Sequence, residues 1–348
     1  MKILFVWTGV TSYMADCWRR LQQEPDIELK VVVEQVTSGR EFDAEKVLAG
    51  LDYQLVRDVD PASLCASALK QKPDLVFACG WHSTVVRTLV ARTDWKDVPK
   101  VCCSDMPWRW KFRCIAARFV LRRYLRQFAG MMVPGRSGHR YARWLGFPEE
   151  RIFEGMYGID VERLGTAERV ERSGFLYLGR FAPEKRLDVL LKAYLRYREL
   201  GGTWALDLYG AGPLEDELRQ SIARSGVRTI GLHPFVQPAD VSRLYASHAC
   251  LTLASDFDPW PLVVLESCAN GLPVIVTDRC TNHYEFVRRN GLVVRRGDVE
   301  GFARALLRME RNRADFDVAE GRRRAADYSG VAWCGKIRRI AEQMKVGI

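Results

Sequence analysis

The ten cysteines include no C-x-x-C pair, no run of 18 residues is uninterruptedly apolar, and neither a low-complexity tract nor an internal repeat is present. Each absence removes a class of protein. Scattered cysteines, with Cys102 and Cys103 adjacent in an apolar stretch, read as reduced thiols packed as small hydrophobes. A chain without a long apolar run is not expected to cross a membrane by a helix. The opening "MKILFVWTGVTSYMADCWRR" has one lysine, a short apolar run and no small-residue cleavage site. It is expected to be a buried first strand rather than a signal peptide, which places the protein in the cytoplasm.

A more local absence concerns charge of one sign. Met106 to Pro148 holds no Asp or Glu. The same stretch carries Arg109, Lys111, Arg113, Arg118, Arg122, Arg123, Arg126, Arg136, Arg140 and Arg143. With a net charge of +10 overall, this implies an anionic partner: phosphate, nucleic acid or acidic lipid.

What is present is a globular chain of 348 residues, 48% hydrophobic and 28% charged, the length of two ordinary domains. Short apolar runs alternate with amphipathic helical patterns. "KILFVW", "IELKVVVE", "DLVFACG", "KVCCSD" and "GMMVPG" read as strands. Helices are expected at 12–23, 61–71 and 83–92, and a long basic one at 112–128. Residues 160–173, polar and without a strand, read as a linker. The rhythm then restarts with strands "GFLYLGR", "WALDLYGAG", "TIGLHPF", "CLTLAS", "PVIVTD" and "GLVVRRG" separated by helical patterns, and a mostly helical tail over 300–348. Strand–helix alternation implies parallel sheets covered on both faces. The expected fold is α/β, two Rossmann-like doubly wound domains facing across a cleft. The first spans 1–163, together with a crossover helix at 331–348 carrying Trp333, Ile337, Ile340 and Met344. The second spans 172–329. Ligands of such sheets bind beyond the carboxyl ends of the strands.

Two motifs lie at such ends. In "DPWPLVVLES", Asp258 and Glu266 are separated by seven residues, with Pro259 and Pro261 just after the first acid. A helix starting near Pro261 puts proline where its missing N–H costs nothing. Asp258 then precedes a helix N-terminus suited to phosphate, and Glu266 lies more than one turn inside. A phosphorylated sugar offers hydroxyls and phosphate in that order. The same spacing also fits an N-capping Asp and a solvated Glu. In "LGRFAPEKRLDVLL", Arg180 follows a strand end and Lys185 comes five residues later. Together these cations would neutralise a diphosphate. Alternatively they are surface bases on a solvated loop.

"GRFAPEKRLDVLLKAY", "LYGAGPLEDEL", "HPFVQPADVSRLYASHACLTLAS" and "DPWPLVVLESCANGLPVIVTD" resemble the C-terminal half of family 4 glycosyltransferases, retaining GT-B enzymes that use nucleotide sugars. The likeness runs over about 174–300 and is weaker in the N-terminal half. It implies that Arg180 and Lys185 bind the donor diphosphate, Glu266 the ribose hydroxyls, and Asp258 the sugar hydroxyls. The N–H groups of Leu262 and Val263 would face phosphate. Val236 would meet the base, and Gly9 would let the first loop approach the donor. Three departures stand out: an Asp where the family has its first Glu, prolines in place of two glycines, and Asp105 where a histidine often stands. His82, ending the previous strand, is the alternative to Asp105 near the reacting sugar, or a structural residue. No cofactor or divalent metal is expected, although Asp256-Phe257-Asp258 formally matches a D-x-D metal motif.

The expected activity is therefore sugar transfer from a nucleoside-diphosphate sugar to a glycan or glycolipid acceptor in bacterial surface polysaccharide assembly. The alternatives are a soluble enzyme with a small-molecule acceptor, a GT-B epimerase and, from another class, a nucleic-acid-binding protein. Against the last, Ile115, Phe119, Val120, Leu121, Tyr124 and Leu125 are expected to form one buried helix face with arginines outside. Residues 109–126 would then rest on an anionic membrane at the cytoplasmic side. A solvated basic face is the plain alternative.

Overall fold

The computed structural model describes residues 1–9, 11–34, 44–56, 72–164, 172–237 and 240–346. The helix expected over 61–71 and half of the expected linker, 165–171, lie outside them. The chain divides into two compact units: Met1–Asp160 with Tyr328–Ile348, and Val161–Asp327.

The first unit is built on seven parallel strands: β1 (Lys2–Thr8), β2 (Glu28–Glu34), β3 (Tyr53–Val56), β4 (Leu75–Cys79), β5 (Lys100–Cys103), β6 (Gly130–Val133) and β7 (Ile152–Glu154). Their order is β3-β2-β1-β4-β5-β6-β7. Strands such as "VVV" at 31–33 are buried throughout, as a sheet covered on both faces requires. Helix Gly330–Val346 packs on helix Ser12–Gln22. Its Trp333 is buried beside Phe5, ring centroids 5.9 Å apart, and the indole N–H donates to the Met156 carbonyl at 3.0 Å.

The second unit has six parallel strands: β8 (Phe175–Leu178), β9 (Leu206–Tyr209), β10 (Ile230–His233), β11 (Cys250–Leu253), β12 (Val274–Thr277) and β13 (Gly291–Val294). Their order is β10-β9-β8-β11-β12-β13. The chain moves outward from β8 in one direction, returns, and moves outward from β11 in the other. The reversal therefore lies between β8 and β11, and both units are doubly wound α/β sheets.

The basic region departs from expectation. A single helix over 112–128 is replaced by helices Phe112–Val120 and Arg122–Leu125, with Leu121 between them at φ −88°, ψ −2°. The expected buried face is also wrong for half of its members. Phe119 and Val120 are exposed, whereas Tyr124 and Leu125 are buried. The reason lies in two stripes at three- and four-residue spacing. Cys114, Ala117, Leu121, Tyr124, Leu125 and Phe128 form one and turn to the core. Phe112, Ile115, Ala116, Phe119 and Val120 form the other and turn away from it. A segment apolar on both sides does not state which side is buried.

Candidate functional site

The Arg180 and Lys185 loop leaves β8, and the Asp258–Val263 segment follows β11. These are the two strands that flank the reversal, where an open α/β sheet leaves room for a ligand beyond its carboxyl ends.

The loop after β8 is set by close backbone packing. Gly179 N–H donates to Tyr209 at 3.0 Å, and Phe181 N–H to Ala211 at 2.8 Å. A Cβ on Gly210 would sit 1.9 Å from the Gly179 carbonyl oxygen, so only glycine fits. Tyr177, buried at the end of β8, donates its hydroxyl to the Arg180 carbonyl at 2.8 Å. The backbone of Arg180 is thus tied down while its side chain is exposed. Among the described residues no acceptor holds its guanidinium.

Lys185 is different. Its ammonium lies 2.5 Å from Asp258 Oδ2, and Asp258 is only 6% exposed. Arg186, next in sequence, pairs with Asp256 at 3.0 Å and with Asp188 at 2.9 Å. It adopts φ +50°, a left-handed conformation costly for a non-glycine residue and held here by its two carboxylate partners. A backbone bond from Asp256 N–H to Glu184 at 2.8 Å completes the junction. Both acids of the D-x-D motif are therefore engaged by successive cations, and among the described residues no group of three or more His, Cys, Asp or Glu is placed to hold a metal ion.

The proline-rich segment is clamped from the loop after β12. Thr281 hydroxyl donates to the Pro259 carbonyl, and Asn282 donates to Pro261 at 2.8 Å. Asp258 N–H donates to Arg279 at 3.1 Å. Trp260 is buried against Phe286, 5.6 Å between centroids. Helix Leu262–Ala269 then starts with no side-chain cap. Its first two N–H groups, on Leu262 and Val263, meet no acceptor among the described residues, so this terminus carries unsatisfied donors and a partial positive charge. The other end closes as a Schellman motif, Gly271 N–H to Cys268 at 3.0 Å and Leu272 N–H to Ser267 at 2.8 Å.

Glu266 lies on this helix and accepts a 2.6 Å hydrogen bond from Tyr245 on helix Val241–Ser247. Burial pushes the Tyr245 hydroxyl well above its usual pKa, and the Glu266 charge adds to the effect. It stays a donor. Val236 follows β10 and is partly exposed beside Phe235. Near it, His233 stacks on Tyr209 at 4.3 Å, and Asp207 binds both His233 at 2.7 Å and His248 at 3.3 Å. Those two histidine bonds, that of His248 foremost, hold the Asp207 carboxyl below its ordinary range.

The remaining candidates belong to the first unit. Gly9 follows β1 at φ +77°, with open space around its Cβ position and its N–H bonded to Glu34 at 2.9 Å. Glycine is favoured there by conformation rather than crowding. Asp105 follows β5. Burial raises its pKa, partly offset by a 3.2 Å bond from the Tyr157 hydroxyl. His82 is exposed beyond β4 and lines a groove along helix Thr84–Val90.

Arg186 was not anticipated, Asp256 was named only within a formal D-x-D motif, and Tyr245 was not anticipated. The tandem of Lys185-Arg186 against Asp256 and Asp258 was the available signal for the first two. Nothing in the local sequence marks Tyr245 as the partner of Glu266.

A cation pair and an uncapped helix start on neighbouring strands are a phosphate-binding arrangement that many proteins share. The sequence around it is similar to that of known proteins. Residues 172–312 match the profile of the family Glycosyl transferases group 1. The chain is 36% identical over 158 residues to the lipopolysaccharide core biosynthesis glycosyltransferase LpsE of Rhizobium meliloti, covering 42% of each chain. It is 27% identical over 187 residues to the amylovoran biosynthesis glycosyltransferase AmsK of Erwinia amylovora, covering 49% of this chain and 45% of that one. It thus spans less than half the length of these curated relatives. Among solved structures it resembles Anabaena Alr3699/HepE in complex with UDP, with a TM-score of 0.79 at 16% identity, covering 99% of this chain and 100% of that one. The fold class is GT-B.

Proposed function

We infer that the protein is a glycosyltransferase that moves a sugar from a nucleoside diphosphate to an acceptor hydroxyl. The observation that carries this reading is the convergence of Arg180, Lys185 and the uncapped helix start of Leu262 and Val263 on the two strands flanking the sheet reversal. All three are donors suited to a diphosphate. The family match over the same residues, and a solved relative described in complex with UDP, support a nucleotide-sugar donor.

The second unit binds the donor. Arg180 grips phosphate oxygens through its planar fork, and Lys185 adds a point charge. Glu266, oriented by Tyr245, takes the ribose hydroxyls, and Val236 borders the base. Asp258 places Lys185 and faces the sugar hydroxyls. In the transfer, the bond from the anomeric carbon to the diphosphate oxygen breaks and its electron pair leaves with the diphosphate. The acceptor oxygen bonds to the same face of that carbon, and its proton passes to the departing phosphate oxygen. Arg180, Lys185 and the helix start stabilise the growing negative charge. No divalent metal is required, a reading supported by the engagement of Asp256 and Asp258 by Arg186 and Lys185. We assign Gly9 to the donor side, where it lets the first loop approach the phosphate, and Asp105 to the reacting sugar, with the enzyme working at the cytoplasmic face. The acceptor is a glycan or glycolipid of surface polysaccharide assembly, as the names of LpsE and AmsK suggest.

Proton NMR of the product made from an α-linked donor tests the reaction. An α-linked product supports it, a β-linked product contradicts retention, and a released isomer of the donor sugar contradicts transfer.

A further inference from the structure

The first unit carries an apolar surface that the donor site does not use. Trp110 is 85% exposed, Phe112 83%, Phe119 70% and Val120 77%. Phe112, Phe119 and Val120 share the outward stripe of helix Phe112–Val120, with Ile115 and Ala116 half-buried between them. Only Cys114 of this helix is buried. Trp110, just before the helix, is held edge-on by Trp108 at 5.5 Å. Large exposed apolar side chains gathered in one place mark a contact surface.

Charge identifies the partner. No acidic residue lies between Met106 and Pro148. Among the described residues, no carboxylate pairs with Lys111, Arg113, Arg122, Arg123 or Arg126. Arg118 turns back instead, donating to the Trp144 carbonyl at 2.8 Å and lying over its ring at 5.6 Å. The apolar stripe also continues at Val120 into an open groove of about 1110 Å³ that includes Arg87, Arg92 and Arg123 and one acid, Asp94, paired with Arg92 at 2.6 Å. An apolar centre rimmed by unneutralised cations matches the lipid boundary of an anionic bilayer: acyl chains below, phosphates around. A tryptophan at the edge suits the headgroup level.

We propose that helix Phe112–Val120 and Trp110 insert into the surface of an anionic bilayer, with the surrounding Lys and Arg side chains on lipid phosphates. This differs from adsorption by charge alone, because part of the binding survives high salt. It stands apart from the enzymatic reading, since vesicle binding needs no sugar donor.

The test is flotation of the whole protein with vesicles of phosphatidylcholine alone and of phosphatidylcholine mixed with phosphatidylglycerol, at low and high salt. The unaltered protein floats with the anionic vesicles, and a fraction remains bound at high salt. Combined Trp110→Ser, Phe112→Ser and Phe119→Ser lowers partitioning by about tenfold or more at both salts. Its melting temperature stays unchanged, because these side chains are exposed. Combined Arg113→Gln, Arg122→Gln, Arg123→Gln and Arg126→Gln removes the preference for anionic lipid. A blue shift of tryptophan emission on vesicle binding, absent in Trp110→Phe, reports the insertion. Binding abolished by salt and indifferent to the serine variant overturns insertion. Absence of vesicle binding overturns the proposal altogether, and a dimer dispersed by the serine variant would then assign the patch to a second copy of the chain.

Discussion

Lys185 Nζ and Asp258 Oδ2 lie 2.5 Å apart and join the loop after β8 to the loop after β11 across the sheet reversal. The pair holds the Lys185 ammonium at the carboxyl end of the sheet. Removing Lys185 takes a 2.5 Å ion pair from a buried carboxylate, whereas removing the exposed Arg180 side chain breaks no bond among the described residues. Lys185→Ala should therefore lower stability by about 1–3 kcal/mol, and Arg180→Ala should leave it within about 0.5 kcal/mol. Urea denaturation of both variants checks this. Equal stabilities would show that Asp258 does not depend on the pair.

Tyr245 fixes Glu266 through a 2.6 Å hydrogen bond from within the core. Tyr245→Phe keeps the ring and removes the bond. Nucleoside diphosphate affinity should fall by roughly five- to tenfold, about 1–1.4 kcal/mol, with turnover at saturating donor nearly unchanged. Titration calorimetry and a KM-against-kcat comparison separate this positioning role from loss of fold.

Burial raises the pKa of Asp105 in the folded state above the ordinary 3.8. The folded protein therefore holds this proton more tightly than the unfolded chain. Its contribution to stability is full below the unfolded value and is lost as pH rises through the folded one. Asp105→Asn removes that loss. The stability of Asp105→Asn relative to the unaltered protein should thus increase from acidic to neutral pH, while sugar transfer falls. A constant difference across pH would contradict the buried-carboxylate account.

Gly210, just after β9, is where its loop meets the loop after β8, and an added methyl would overlap the Gly179 carbonyl. Gly210→Ala should cost roughly 1–3 kcal/mol and weaken diphosphate binding by displacing Arg180. Thermal unfolding and calorimetry read the two effects. Unaltered stability would mean that the loops move apart freely.

Eleven strands were legible because they are short apolar runs between amphipathic segments, whereas β3 (Tyr53–Val56, YQLV) and β7 (Ile152–Glu154, IFE), short edge strands with a polar member, were not read. The helix after Pro261 was equally plain, with proline at its start and Gly271 past its end. What was hidden depends on contacts between distant residues. Lys185 and Arg186 meet Asp258 and Asp256 about seventy positions away, and sequence spacing does not encode which acid faces which base. The inverted helix Phe112–Val120 was hidden for another reason. Its apolar residues form two stripes, and only the packing of Cys114, Tyr124 and Leu125 against the sheet chooses between them.

Calorimetric titration with a panel of nucleoside-diphosphate sugars tests the central claim most directly, using the unaltered protein, Arg180→Ala and Lys185→Ala. At least one nucleotide sugar should bind saturably without added divalent metal, and each variant should weaken it by about tenfold or more while remaining folded. Binding that is indifferent to both substitutions, or absent across the panel, would contradict the assignment of this site to a sugar nucleotide.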